Sequence, residues 1–268
     1  MVLLFVLTSC AQVQTTNTPA SSSTQTPSTT DSPKSSTYKM KNSYITITNT
    51  SAKYFIQTYT FTDKSHKDSS VAIRLPQLIG DNFDKVNEII KDYVVGFAAN
   101  CYSADYSNLS LDVDYHLTFN DDDWLSISFN GFGNVKTAAY PNRIFQTLNI
   151  NLKNASIVKL SDIYNVNRDF TRIFREEFAS QIRERLAVIL GVSQFQVEPA
   201  AAHLDQYDDQ TLMKYLGGSC CYMTHDKIGI SFGLPHAAGD HFETEIPYSA
   251  LSQDLKMKTA PFNLGEIK

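Results

Sequence analysis

LDVDYHLTFNDDDWLSISFNGF, residues 111–132, sets the reading of the rest of the chain. Leu111, Val113, Tyr115, Leu117 and Phe119 alternate with Asp112, Asp114, His116 and Thr118. A period of two puts one set of side chains on each face of a strand. Asn120–Asp123 supplies a polar turn, and Leu125, Ile127 and Phe129 then resume the alternation. The stretch therefore predicts an antiparallel hairpin with one buried face.

To the N-terminal side, 43–60 is rich in Thr, Tyr, Ile and Phe and reads as one or two strands, and 71–80 as another ending near Pro76. Phe83, Val86, Ile90, Tyr93 and Phe97 recur at helical spacing, with Asp81 or Asn82 as the expected N-cap. Beyond the hairpin, RIFQTLNINL and SIVKLSDIY flank a turn at Lys153–Ser156. A second helix, from about 168 to 190, carries Phe170, Phe174, Phe178, Ile182 and Leu186 on one face. Its charged residues, Arg172, Arg175, Glu176, Arg183 and Glu184, read as a solvated surface. A short helix around QTLMKYL, a hairpin turning at Asp226-Lys227 and a last strand, HFETEI, complete the pass. Hairpins interleaved with helices predict an α+β fold: antiparallel sheets with two long amphipathic helices packed on one face.

The N-terminus opens with an apolar run, Val2–Leu7, and then Leu7-Thr8-Ser9-Cys10, which resembles the bacterial lipobox. That resemblance implies a lipoprotein signal peptide over 1–9 and a lipidated Cys10. Residues 10–38 then form a Ser-, Thr- and Pro-rich tether with too few apolar groups to offset its ordering entropy. As a coil it spans about 30 Å. The expected location is the outer face of the cell membrane, held by lipid. No later segment approaches the length of a membrane span. The net charge of −5, without a basic cluster, gives nucleic-acid binding no support. With Cys10 assigned to lipid, a disulfide between Cys101 and either Cys220 or Cys221 is one reading, and a free thiol is the other.

Two clusters could carry chemistry. PHAAGDHFETEI, 235–246, gathers His236, Asp240 and His241, donors suited to a divalent metal, and His225 stands on the preceding hairpin. Their spacing matches no standard metal motif, so the competing reading is a tight connection shaped by Pro235 and Gly239 and capped by Asp240. The second cluster is Tyr140, Asn142 and Arg143 around Pro141, an aromatic and a charged fork suited to ligand binding. No nucleophile elbow, Cys–His signature, phosphate loop or dinucleotide fingerprint appears. Asp121–Asp123 reads as a solvated turn. The residues predict no catalysis and no required cofactor.

Several motifs in order resemble a known family. Ala138-Ala139-Tyr140-Pro141-Asn142 is followed by Thr147–Leu152 and then by Leu160-Ser161-Asp162-Ile163-Tyr164. Further on come IGISF, PHAAG and a strand closing on Ile246-Pro247-Tyr248. This order is similar to the extracytoplasmic domain shared by the lysozyme-sensing anti-sigma factor RsiV and the peptidoglycan deacetylase PdaC. The resemblance runs from about 43 to 255, dividing the domain into a PdaC-like half, 39–165, and an RsiV-like half, 166–268. It implies a non-catalytic sensing or accessory module of a Gram-positive-type envelope. The partners implied are a cell-wall component such as peptidoglycan, or a wall-attacking enzyme such as lysozyme. Tyr140 stands where that family often has histidine, which weakens a metal or proton-relay role for the turn. The expected module lacks the cytoplasmic segment and spanning helix of an anti-sigma factor, and the deacetylase domain.

Overall fold

The structure is a computed structural model that describes residues 41–42, 54–63, 69–101, 108–136, 138–190, 198 and 200–257. The expected leader, Cys10 and the expected tether lie outside the described residues, as do 43–53 of the first predicted strands and the side chains of Cys101 and Leu186.

One sheet contains β1 (Lys41–Asn42), β2 (Phe55–Asp63), β3 (Ser70–Ile79), β4 (Leu109–Asn120), β5 (Trp124–Val135), β6 (Asn142–Asn151) and β7 (Ser156–Ile157), side by side in chain order. A second, smaller sheet has the order β10-β9-β8, made of β8 (Cys221–Met223), β9 (Lys227–Gly233) and β10 (His241–Pro247). Among the described residues the helices include α1 (Asp84–Cys101), the short α2 (Leu160–Ile163), α3 (Arg168–Leu190) and α4 (Asp209–Gly217). The α+β expectation holds.

The pairing departs from a pure hairpin scheme once. β3 and β4 run parallel, with Ser70–Ile73 beside Ser110–Val113, because α1 lies between them and carries the chain back to the starting end. Helix α1 also starts later than the sequence suggests. The Asn87 N–H reaches the Phe83 carbonyl at 2.9 Å, while Asn82 sits in the left-handed region at φ 68°. Asn82 therefore turns the chain into the helix and Phe83 holds the N-cap position.

Each long helix covers its own sheet. Val86, Ile90 and Val94 of α1 meet Ile73, Leu75, Val113, Ile127, Phe129 and Leu148 on one face of the large sheet. Phe170, Phe174, Phe178 and Ile182 of α3 meet Ile228, Ile230, Phe232, Phe242 and Ile246 of the small one. Full burial of each such side chain stabilises the fold by about 1.5–3 kcal/mol. Phe119 belongs to this second core, although plain alternation would place it with Leu117. A register shift between Leu117 and Phe119 explains the difference: the extra residue of a β-bulge turns the residues after it to the other face.

The two sheets meet through a buried polar seam. Thr118 Oγ1 donates to Ser126 Oγ at 2.8 Å, and Ser126 Oγ donates to Asn149 Oδ1 at 2.7 Å. Asn149 Nδ2 donates to the Cys221 carbonyl at 2.8 Å, and the Met223 N–H donates to Ser126 Oγ at 2.9 Å. Side chains of β5 and β6 thus take up the backbone groups of β8, an alternative to leaving buried amides unpaired.

Candidate functional site

The clusters around residues 140 and 236 stand apart in sequence and meet in space. Pro235 opens a 3-10 turn, His236–Ala238, that closes on Gly239 at φ 104° and Asp240 at φ 71°. Glycine adopts such a conformation without cost, and aspartate is among the few other residues that tolerate it. The turn aims the Asp240 carboxylate two ways. Oδ1 lies 2.7 Å from His236 Nδ1, and Oδ2 accepts the Arg143 backbone N–H at 2.7 Å. Asp240 therefore caps an amide, as the sequence suggests, but one at the start of β6. The rings of Tyr140 and His236 stack with centroids 5.9 Å apart. Tyr140 is 69% exposed, and Phe132, paired with Arg143 across the strands, is 57% exposed. The result is a surface platform of aromatic rings with the Arg143 side chain exposed beside it. Asn142 opens β6 opposite Gly133.

His241 parts from His236. As strand alternation requires, His241, Glu243 and Glu245 share a face of β10, and His241 Nδ1 meets Glu243 Oε1 at 2.5 Å. Nε2 is buried without a hydrogen-bond partner among the described residues, and the ring packs 5.4 Å from Phe145. Ser231 Oγ donates to Glu243 Oε1 at 3.3 Å. Ser, His and acid are thus neighbours, but the hydroxyl addresses the carboxylate, whereas a nucleophilic triad needs it at the far imidazole nitrogen. His225 lies on a different turn, 5.3 Å edge-on to Phe119. Among the described residues no group of three or more His, Cys, Asp or Glu is placed to hold a metal ion.

The cysteines divide. Cys220 is disulfide-bonded, whereas Cys221 is a buried free thiol. Burial pushes the Cys221 thiol up to about 12, against a weaker lowering contribution from Asn149. The acidic turn is structural: Asp121 Oδ1 accepts the Asp123 and Trp124 N–H groups at 2.8 and 2.7 Å. Lys153 pairs with Asp123 at 2.6 Å, and Arg74 bridges Asp112 and Asp114 at 3.0 and 2.9 Å. Two cations, Arg74 and Lys153, therefore offset part of the hairpin's acidity.

Sequence reading missed the contacts made from the polar side of α3. Arg175 donates to the carbonyls of Leu204 and Tyr207, both at 2.6 Å, so it ties down the following segment and is not part of a solvated face. Gln181 and Arg185 reach the backbone of β10. Arg172 and Glu176 do form the exposed i,i+4 pair the pattern suggests, at 3.0 Å.

Fold and site together define an α+β domain of two sheets with a surface platform at one loop junction. No family model matches the chain, and no curated protein matches it. Among solved structures, it is similar to a DUF3298 family member from Bacteroides fragilis NCTC 9343, at 14% identity over 76% of this chain and 94% of that one, with a TM-score of 0.47. It is also similar to a DUF3298 family protein from Pseudomonas aeruginosa PAO1, at 11% identity over 76% and 93% of the two chains, with a TM-score of 0.45.

Proposed function

We propose that this chain is a non-catalytic, cell-surface binding domain, held by lipid at Cys10 on the outer face of the membrane. Its ligand is a cell-wall component or a wall-attacking protein such as lysozyme. The observation that carries the binding role is the platform. Tyr140 stacks on His236, Asp240 joins its own turn to the start of β6, and Arg143 and Phe132 remain open to solvent. Aromatic and arginine side chains held by rigid neighbours are the groups that dominate recognition surfaces.

Two further observations support the reading. A disulfide at Cys220 suits an oxidising, extracytoplasmic location. Potential nucleophiles are poorly placed for chemistry, since the Cys221 thiol is buried and the Ser231 hydroxyl is turned away from imidazole. The choice of ligand class, and the surface location itself, rest on the resemblance to the RsiV and PdaC domain.

The test is binding of the purified chain to lysozyme and to muropeptides at low salt. Tyr140→Ala or Arg143→Ala should weaken the interaction by about tenfold or more, within the range of interface hot spots. No affinity for either ligand would overturn the proposal. Anchoring is read separately: Cys10→Ala should move the protein out of the membrane fraction.

A further inference from the structure

Among the described residues β10 is an edge strand, paired with β9 on one side only. On its outer side α3 supplies what a neighbouring strand would. Gln181 Nε2 donates to the Glu245 carbonyl at 2.7 Å, and Gln181 Oε1 accepts the Glu245 N–H at 3.0 Å. Those are the two hydrogen bonds a residue exchanges within an antiparallel pair. One turn later Arg185 Nη1 donates to the Glu243 carbonyl at 3.1 Å. Four helical residues advance about 6 Å and two strand residues about 6.8 Å, so the helix side chains keep step with the strand.

A cleft of about 480 Å³ runs alongside, between α3 and this edge. Its lining is biased in charge. Glu177, Glu184 and Glu245 face Arg185 and Lys227, and both cations are engaged. Arg185 lies 5.1 Å over the Phe242 ring, and Lys227 pairs with Glu245 at 3.6 Å. Among the described residues Glu177 and Glu184 make no ion pair, and Val188 adds an apolar surface that is 78% exposed.

We infer that the β10 edge and this cleft form a docking site for an extended peptide segment bearing basic side chains, with Gln181 marking where the peptide backbone binds. The peptide takes over the Glu243 and Glu245 backbone groups by strand addition. Its cationic side chains meet Glu177 and Glu184, and an apolar one meets Val188.

The test measures binding of the full chain to a capped (Lys-Val)3-Lys peptide by fluorescence polarisation. Two comparison peptides carry Glu in place of Lys, or N-methyl groups on alternate backbone amides. The Lys-Val peptide should bind, and each comparison peptide should bind about tenfold more weakly, roughly the worth of one or two hydrogen bonds or a close charge contact. Gln181→Ala vacates the edge and should tighten binding, while Glu184→Lys should weaken it, with unfolding midpoints showing that both variants fold. Equal binding of the N-methylated peptide would exclude strand addition. Equal binding of the Glu peptide would exclude the charge assignment, and no binding to either wild type or Gln181→Ala would overturn the site altogether.

Discussion

Asp240 shows how much one side chain can organise. Its backbone is held in the left-handed region, and from there it touches His236 on its own turn and the Arg143 amide across the junction. Asn149 has the corresponding role inside, joining Ser126 to the backbone of β8. Asn149→Ala strands the Cys221 carbonyl and removes the acceptor of the Ser126 hydroxyl. The expected loss is about 2–4 kcal/mol, since buried polar groups lose their partners and a cavity opens. Urea unfolding, with the slope of the transition compared, is the measurement. A loss below about 1 kcal/mol would mean the seam is not buried as described. Cys221 gives a second prediction at this scale. A thiol raised to about 12 and fully enclosed carries almost no thiolate at neutral pH. Alkylating reagents should therefore leave Cys221 untouched in the native protein and label it on denaturation, while Cys220 reacts only after reduction. Rapid native labelling at Cys221 would contradict its burial.

At the level of helices and strands, the chain tells more about what forms than about what it faces. Leu111–Leu117 and Leu125–Phe129 form the predicted hairpin because alternation is a local signal, but the single buried face holds for β4 alone: Ser126 and Ser128 of β5 are buried as well as Leu125, Ile127 and Phe129. The Phe119 displacement is not local, since a single bulge reverses the face without changing the pattern before it. The two candidate loops could be recognised separately, but the contact between Asp240 and Arg143 spans 97 positions and has no short-range trace. Amide side chains are the least legible of all. Asn87 on α1 accepts the Leu78 N–H at 2.8 Å and donates to the Leu78 carbonyl at 2.9 Å, repeating what Gln181 does at Glu245. Both look like ordinary polar positions of a helix until the strand edge beside them is seen. The N-cap of α3 goes unread in the sequence: Asn167 precedes the helix, and its Oδ1 accepts the Phe170 N–H at 3.0 Å. Its Nδ2 also donates to Asp254 at 2.6 Å, so the cap secures the closing segment too. Asn167→Ala should cost about 1–2 kcal/mol, and Asn167→Ser, which keeps a neutral N-cap acceptor but loses the donor to Asp254, should recover only part of it. Thermal unfolding of the pair separates the two contributions. Full recovery in the Ser variant would mean that the Asp254 contact contributes nothing.

In the whole molecule the large sheet serves two cores, with α1 on one face and the small sheet and α3 reached from the other. A sheet used on both sides must enclose polar groups as well as hydrocarbon, and phenols are prominent among them. Tyr54, Tyr164, Tyr222 and Tyr248 are all at most 8% exposed. Burial raises each of their pKa values, that of Tyr54 to about 12 from an ordinary 10.0. Next to Tyr222 the carboxylate of Glu245 adds to the effect, accepting the phenol at 3.0 Å. Cys221 behaves likewise, moving from 9.0 to about 12. In every case the folded state holds its proton more tightly than the unfolded chain. Their contribution is therefore complete below about pH 9 and is lost as pH rises through the folded values, because only the unfolded chain gains by releasing protons first. These groups should leave stability unchanged up to about pH 9 and lower it progressively towards pH 12. Urea midpoints across that range, followed together with phenolate absorbance, should show the buried tyrosines ionising only as the protein unfolds. If all the tyrosines ionised near pH 10 while the fold persisted, the burial of these four phenols would be wrong.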